Sequence, residues 1–434
     1  MKKYLQIAFT TLILSFYFFP FNLRILPTVN TKTTMAGIGL VLLFFQLAKG
    51  RKALIDKDIF ILSMYALVVS LFGFLSITYN ETFDYTYATY IISMWVWLSA
   101  AYVVISLMRR VHGYASIYLL CNYLIGLCVV QCLLAITMDF YTPLKDVIFS
   151  VMDTETVEFM KKAKRLCGFG AALDIAGTRF ASVLIMIVFL CISYPKERMQ
   201  KTYPFYVVAF LVIAIIGNMI SRTTTIGLIL AILYFILFSK IQVLEYKKLW
   251  LWIIVISVVL ISMTIYAYHN IPEVYEHIRF AFEGFFSLIE KGRWEVHSNE
   301  ILESMYVFPD NLKTWIIGDG YFNNPYNVDS YYVGPKWIGF YKNTDVGYLR
   351  FIYYFGVLGL IAFSIYIYKV SFICANRFKN CRNLFFVFLL LNFIIWVKVS
   401  TDIFLVFALF LVVEKEENEV YENRFIYFLE VKNL

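Results

Sequence analysis

The sequence predicts an all-α integral membrane protein with about twelve transmembrane helices (eleven or twelve) and a large external loop between helices nine and ten. Three observations predict it. The 434 residues are 61% hydrophobic and 16% charged, with mean hydropathy +0.72, more apolar surface than a soluble chain of this size hides. The apolar residues fall in continuous runs near the roughly 20 residues that carry a helix across about 30 Å of hydrocarbon, not in the alternating segments of a barrel. A polar insertion, about 269 to 345, then interrupts the pattern with charged, Gly, Asn and aromatic residues at a density found nowhere else.

Taken in order, the first span covers about 4–22. Lys2 and Lys3 precede it, and Phe19-Pro20-Phe21-Asn22 offers no small-x-small cleavage site, so it reads as an uncleaved helix. Spans follow at about 34–49, 58–77, 88–107, 115–138, 179–194, 203–220, 223–239, 249–268 and 346–368. The last apolar stretch, 384–413, is broken by Lys398-Val399-Ser400-Thr401-Asp402. One tilted helix there would bury both charges, at a cost. Two short spans that turn at this segment avoid the cost and give twelve; a single span gives eleven. The organisation is therefore a membrane domain over 1–268, an external loop over 269–345, a second membrane domain over 346–413 and a cytoplasmic tail over 414–434.

The net charge of +8 is topology, not a nucleic-acid patch. Lys49, Arg51, Lys52 and Lys57, then Arg109 and Arg110, Lys196, Arg198 and Lys201, Lys240, Lys247 and Lys248, and Lys369, Arg377, Lys379 and Arg382 occupy alternate loops. The short loops between them are poor in Lys and Arg. By the positive-inside rule both termini are cytoplasmic, and the loops at about 139–178 and 269–345 are external. Cys121, Cys128 and Cys132 share one helix face, where buried thiols act as small hydrophobes. Cys167 stands without a partner, and neither a disulfide framework nor metal spacing is present. No cofactor is implied.

An outward-facing site must use substrates activated elsewhere. The external loops lack a phosphate-cradling glycine loop, a zinc helix and a Gly-x-Ser-x-Gly elbow. Their charges near the membrane plane are Arg165, Arg179, Arg222, Arg293, Arg350, Asp319 and Asp345. Guanidinium binds phosphate oxygens bidentately and stabilises a departing diphosphate, and a carboxylate accepts the proton of an attacking hydroxyl. Seventeen aromatics crowd the large loop, among them Trp294, Trp315, Tyr321, Tyr331, Tyr332, Trp337 and Tyr341. Such rings suit sugar faces and membrane interfaces alike.

Three motifs stand out: Gly217-Asn218-Met219-Ile220-Ser221-Arg222-Thr223-Thr224-Thr225, Gly292-Arg293-Trp294-Glu295, and Asp345-Val346-Gly347-Tyr348-Leu349-Arg350 leading into Phe355-Gly356-Val357-Leu358-Gly359-Leu360. With Ile317-Gly318-Asp319-Gly320 and Arg165-Leu166-Cys167-Gly168-Phe169, the chain resembles the superfamily of O-antigen ligases and Wzy-type polymerases from about Arg165 to Gly359. The resemblance implies a polytopic enzyme with a large periplasmic loop. Two arginines act in such ligases, at positions matching Arg222 and Arg293 here. The ligase histidine position is filled by Asp345, a departure closer to the capsule and O-antigen polymerases.

The expected activity is therefore polymerisation of undecaprenyl-pyrophosphate-linked oligosaccharide repeat units into O-antigen, capsular polysaccharide or exopolysaccharide at the outer face of the bacterial inner membrane. A chain-length regulator and a flippase are the implied partners. Arg222, Arg293 and Asp345 are the catalytic candidates; Arg165, Glu295, His297, Asp319, Tyr348 and Arg350 are the substrate-binding candidates. Plainer readings stand beside these. Arg222 fits a snorkelling interfacial arginine, Arg293 a partner for Glu295 or Glu290, Asp345 an N-cap, and His297 a surface histidine. Gly356 and Gly359 fit close helix packing, and Lys398 and Asp402 fit a mutual pair. A ligase moving finished glycan to another acceptor is the alternative within the family. A polysaccharide transporter or an assembly subunit is the alternative outside it.

Overall fold

The computed structural model describes residues 2–49, 56–163, 165–193, 196–239, 247–324 and 339–415. Tyr331, Tyr332 and Trp337 of the large loop, Arg51, Lys52 and Lys240 of the basic loops, and the tail from 416 lie outside them. The chain is helical almost throughout: α1 (Lys2–Phe18), α2 (Thr31–Ala48), α3 (Lys57–Tyr79), α4 (Tyr90–His112), α5 (Ile117–Phe140), α6 (Thr142–Val151), α7 (Thr154–Ala163), α8 (Leu173–Ser193), α9 (Lys196–Ile220), α10 (Thr224–Phe238), α11 (Lys247–Asn270), α12 (Pro272–Ala281), α13 (Glu283–Lys291), α14 (His297–Ser304), α15 (Leu312–Ile316), α16 (Gly347–Arg377), α17 (Arg382–Ile395) and α18 (Phe404–Val412). A small antiparallel hairpin joins α1 to α2, pairing Asn22 with Asn30 and Leu23 with Leu26. Polar residues start the helices where the periodic apolar pattern begins. Asn30, Asp56 and Ser116 accept backbone N–H groups at the heads of α2, α3 and α5.

Eight helices among the described residues are long and apolar enough to cross a membrane: α2, α3, α4, α5, α8, the 202–220 part of α9, the 251–270 part of α11, and α16. That corrects the expected twelve. The difference lies in length: α1, α10, α17 and α18 hold 17, 15, 14 and 9 residues. At about 1.5 Å per residue, the last two rise only about 21 and 14 Å. The apolar stretch 384–413 does break at its charged segment. Its two halves are short helices: α17 is buried along one face, and α18 is buried over its whole length.

α4 packs against α1, α2, α3 and α18; α8 packs against α5, α9, α10 and α17; α16 packs against α3, α15, α17 and α18. Glycines set two of these contacts: a Cβ at Gly39 would strike the Ser99 backbone, and one at Gly227 would strike Ala181. Two of the basic residues, Arg109 and Arg377, meet at one pole beside the C-terminal end of α18. Arg377 bonds Asp56, Asp58 (2.9 Å) and the Leu411 carbonyl (2.8 Å), while Arg109 bonds the Val412 carbonyl (3.2 Å) and pairs with Glu414 (3.1 Å). The outward faces of α2, α3 and α11 are rows of exposed Leu, Ile, Val and Phe, a surface that only hydrocarbon solvates. These features define a helical, multi-pass membrane protein.

At the opposite pole, the large loop is stitched into a break in α16. Phe355 and Gly356 leave helical geometry, and Gly356 adopts φ 71°, ψ −178°, a region essentially restricted to glycine. The freed carbonyls of Tyr353 and Tyr354 accept the N–H groups of Asp319 (2.6 Å) and Gly320 (3.1 Å), and Ser76 Oγ donates to Tyr354 O (2.6 Å). Gly318 lies against the Tyr354 carbonyl and Gly356 against the Ile316 carbonyl. The expected small-x-x-small role of Gly356 is thus replaced by a backbone break that receives the loop. Gly356→Ala is expected to lose about 1–3 kcal/mol to backbone strain alone, on top of the clash with Ile316. A clear drop in thermal midpoint in detergent checks it, and an unchanged midpoint would count against this account.

Candidate functional site

Six segments that are far apart in the chain meet at the loop-bearing pole. Asp174, in the first turn of α8, accepts Ser221 Oγ (2.8 Å) and Thr223 Oγ1 (2.5 Å) from the α9–α10 turn. Lys398 Nζ, from the break between α17 and α18, lies 3.1 Å from the same Asp174 oxygen. Thr224 Oγ1 donates to Gly217 O and Thr225 Oγ1 to Asn218 Oδ1, so the motif around Arg222 is a side-chain-tied turn. This turn aims Arg222 at the loop helices. Its guanidinium lies over the Phe280 ring (4.1 Å), and its Nη1 donates to Ser298 Oγ (2.9 Å). Nη1 also pairs with Glu283 Oε2 at 2.8 Å, and the buried Arg222 Nε has no hydrogen-bond partner among the described residues. Arg165 lies over the same Phe280 ring at 4.7 Å.

An inner cavity of about 170 Å³ is lined by Arg165, Asp174, Arg222, Phe280, Asp345 and Lys398, among others. A larger outer cavity of about 560 Å³ shares Arg165, Arg222, Phe280 and Ser298 and adds Glu276, His277, Glu283 and His297. Asp345 does not cap α16; the N-cap position is Val346, and no side chain caps it. Its carboxylate instead lies in the inner cavity, 3.7 Å from Arg350 Nη1. Burial pushes its pKa up to about 7; Arg350 and Lys398 oppose the rise and Asp174 adds to it. An acid poised there is matched to proton transfer at neutral pH.

Three of the sequence candidates therefore converge: Arg222, Arg165 and Asp345. Arg350 stands behind them, buried between the rings of Phe322 (3.6 Å) and Phe340 (4.2 Å) and bonded to Ser400 Oγ (2.6 Å), Phe322 O (2.9 Å) and Asn323 Oδ1 (3.0 Å). It fastens the loop to α16 and positions Asp345. The others sit elsewhere. Arg293 is three-quarters exposed, paired with Glu295 at 2.5 Å, and lines neither cavity. Glu295 also bonds Lys291 (2.6 Å). His297 is exposed at the rim of the outer cavity. Asp319 is a structural clasp, bonded to Lys313 (2.6 Å), Thr314 (2.6 Å) and Tyr341 (3.2 Å). Tyr348 packs on Trp396 and donates to Phe393 O (2.9 Å).

Sequence reasoning missed Asp174, Phe280, Glu283 and Ser298, and it misassigned Lys398. Asp402, its expected partner, lies beside Tyr90 (3.4 Å) and caps the Phe404 N–H (2.8 Å). Four-residue spacing could not reveal that Lys398 reaches a carboxylate 224 positions away. His277, hydrogen-bonded to Asp139 at 2.8 Å, was not singled out either. Among the described residues, no group of three or more His, Cys, Asp or Glu is placed to hold a metal ion. No protein-family model, no curated protein and no solved structure matches the chain.

Proposed function

We propose that this chain is a polyprenyl-diphosphate-dependent glycosyltransferase that polymerises undecaprenyl-pyrophosphate-linked oligosaccharide repeat units into a surface polysaccharide. One observation carries the reading: three cations, Arg165, Arg222 and Lys398, share a small cavity with Asp345, and the Arg222 Nε there is buried without an acceptor. A diphosphate supplies the missing acceptor oxygens, and charge-assisted, bidentate contacts to it are strong.

In the proposed step, an acceptor sugar hydroxyl attacks the anomeric carbon of the growing chain. The bond from that carbon to the diphosphate oxygen breaks, and the diphosphate leaves with the electron pair, stabilised by Arg222 and Arg165. Asp345 takes the hydroxyl proton. A single displacement inverts the anomeric centre, and the activated diphosphate supplies the driving force. The protein would lie in a bacterial cytoplasmic membrane, with the basic pole and both termini inside by the positive-inside rule. A flippase would deliver its substrates, and a chain-length regulator would act beside it.

Deleting the gene tests the reading. Loss of the polysaccharide ladder, with single repeat units still transferred, is the expected result. Loss of all surface glycan, with long polymer left on the lipid carrier, would point to a ligase instead.

A further inference from the structure

Within the motif Gly292-Arg293-Trp294-Glu295, Arg293 and Trp294 line neither the inner nor the outer cavity, and their surroundings point to another role. α13 is amphipathic in an unusual sense. Two of its polar side chains turn toward the protein, Glu283 to Arg222 and Ser287 Oγ to the Glu295 carbonyl (2.8 Å), while Glu290, paired with Arg279, and Lys291 stay exposed along its edge. Its apolar face points away. Phe285, Leu288 and Ile289, at i, i+3 and i+4, are 57%, 48% and 82% exposed, and Trp294 beside them is 53% exposed. A helix end-on to water presents the reverse arrangement.

The Trp294 indole lies over Gly284, where a Cβ would strike the ring, and packs edge-on against Phe285 (5.1 Å). This apolar face continues another one. Phe286 of α13 stacks on Tyr268 of α11 (5.7 Å, 10°), Tyr268 packs on Tyr275 of α12 (4.8 Å), and α11 is the span with none of its window buried. The rim of the patch carries Lys291 and Arg293, both largely exposed.

We infer that Phe285, Leu288, Ile289 and Trp294 sit in the headgroup–acyl boundary of the membrane that α11 crosses, with Lys291 and Arg293 reaching its phosphates. The occupant of this face is lipid. The face is continuous with the hydrocarbon-facing side of α11, its aromatic content is that of an interfacial belt, and its basic rim complements phosphate. The inference stands apart from the proposed chemistry, although it sets the Arg222 side of α13 at headgroup level, where a lipid-borne diphosphate lies.

Site-directed spin labelling of the full-length protein in phosphatidylethanolamine–phosphatidylglycerol vesicles tests it. A nitroxide would be placed on Ile289→Cys, with Val258→Cys on the exposed face of α11 as the hydrocarbon reference and Glu300→Cys as the water reference. Six of the seven native cysteines are buried and Cys191 is partly so, which makes the unsubstituted protein the blank. The label at 289 is expected to collide readily with oxygen and poorly with a water-soluble nickel chelate. Its depth should fall between the two references, on the order of 5–10 Å below the phosphates. Nickel access equal to that at position 300 would overturn the inference. So would exclusion of both agents with label–label broadening, the signature of a second copy covering the face.

Discussion

Replacing Arg222 with alanine is expected to reduce polymerisation of lipid-linked repeat units by roughly 10²–10³-fold, the loss typical of removing one preorganised donor to a transition-state oxyanion. The protein should remain in the membrane at the wild-type level. Arg222 is positioned by a turn that holds without it, through Asp174, Ser221 and Thr223, so the scaffold survives the change. Arg222→Lys keeps the charge near Glu283 but loses the two-pronged geometry and should recover activity only in part. Arg293→Ala is expected to fall less than about tenfold, because its guanidinium is exposed and pairs only weakly in solvent with Glu295. Turnover of purified, reconstituted variants at matched protein level distinguishes them. Equal and large losses at Arg222 and Arg293 would remove the basis for separating the two arginines.

That separation marks the limit of what one chain discloses. Composition and run length are enough for an all-helical membrane protein, since hydrocarbon imposes its demand residue by residue. They do not give the span count, because α17 and α18 are as apolar as any span yet too short to cross alone. The motifs were legible as motifs but not as a site. Gly318-Asp319-Gly320 and Phe355-Gly356 read as separate signatures, whereas they form one backbone joint. Arg293 and Arg222 read as a pair, whereas Arg222 pairs with Glu283 at the start of α13 and Arg293 with Glu295 beyond its end. Asp174 and Lys398 gave no local signal, because their pairing depends on how α8 and the α17–α18 break meet in space.

The second large effect concerns Asp345 and pH. A folded-state pKa near 7, against an ordinary value of about 3.9, makes the carboxyl mostly neutral at pH 6 and ionised at pH 8. If it takes the acceptor proton, activity should rise about tenfold per pH unit below 7 and level off above it. Its neighbours should move that limb in opposite directions. Lys398→Met removes a cation that favours the carboxylate and so shifts the limb to higher pH; Asp174→Asn removes a carboxylate that disfavours it and shifts the limb lower. Stability carries the matching sign. The folded protein binds the Asp345 proton more tightly than the unfolded chain does, so this group's contribution falls as pH rises from about 4 to about 7. Asp345→Asn should therefore raise the thermal midpoint at pH 8, leave it nearly unchanged at pH 4, and abolish the acid limb. A destabilised Asp345→Asn protein at pH 8 would overturn the raised pKa, whereas an acid limb that persists in it would assign the proton transfer to another group, with His277, held by Asp139 on the wall of the outer cavity, next in line.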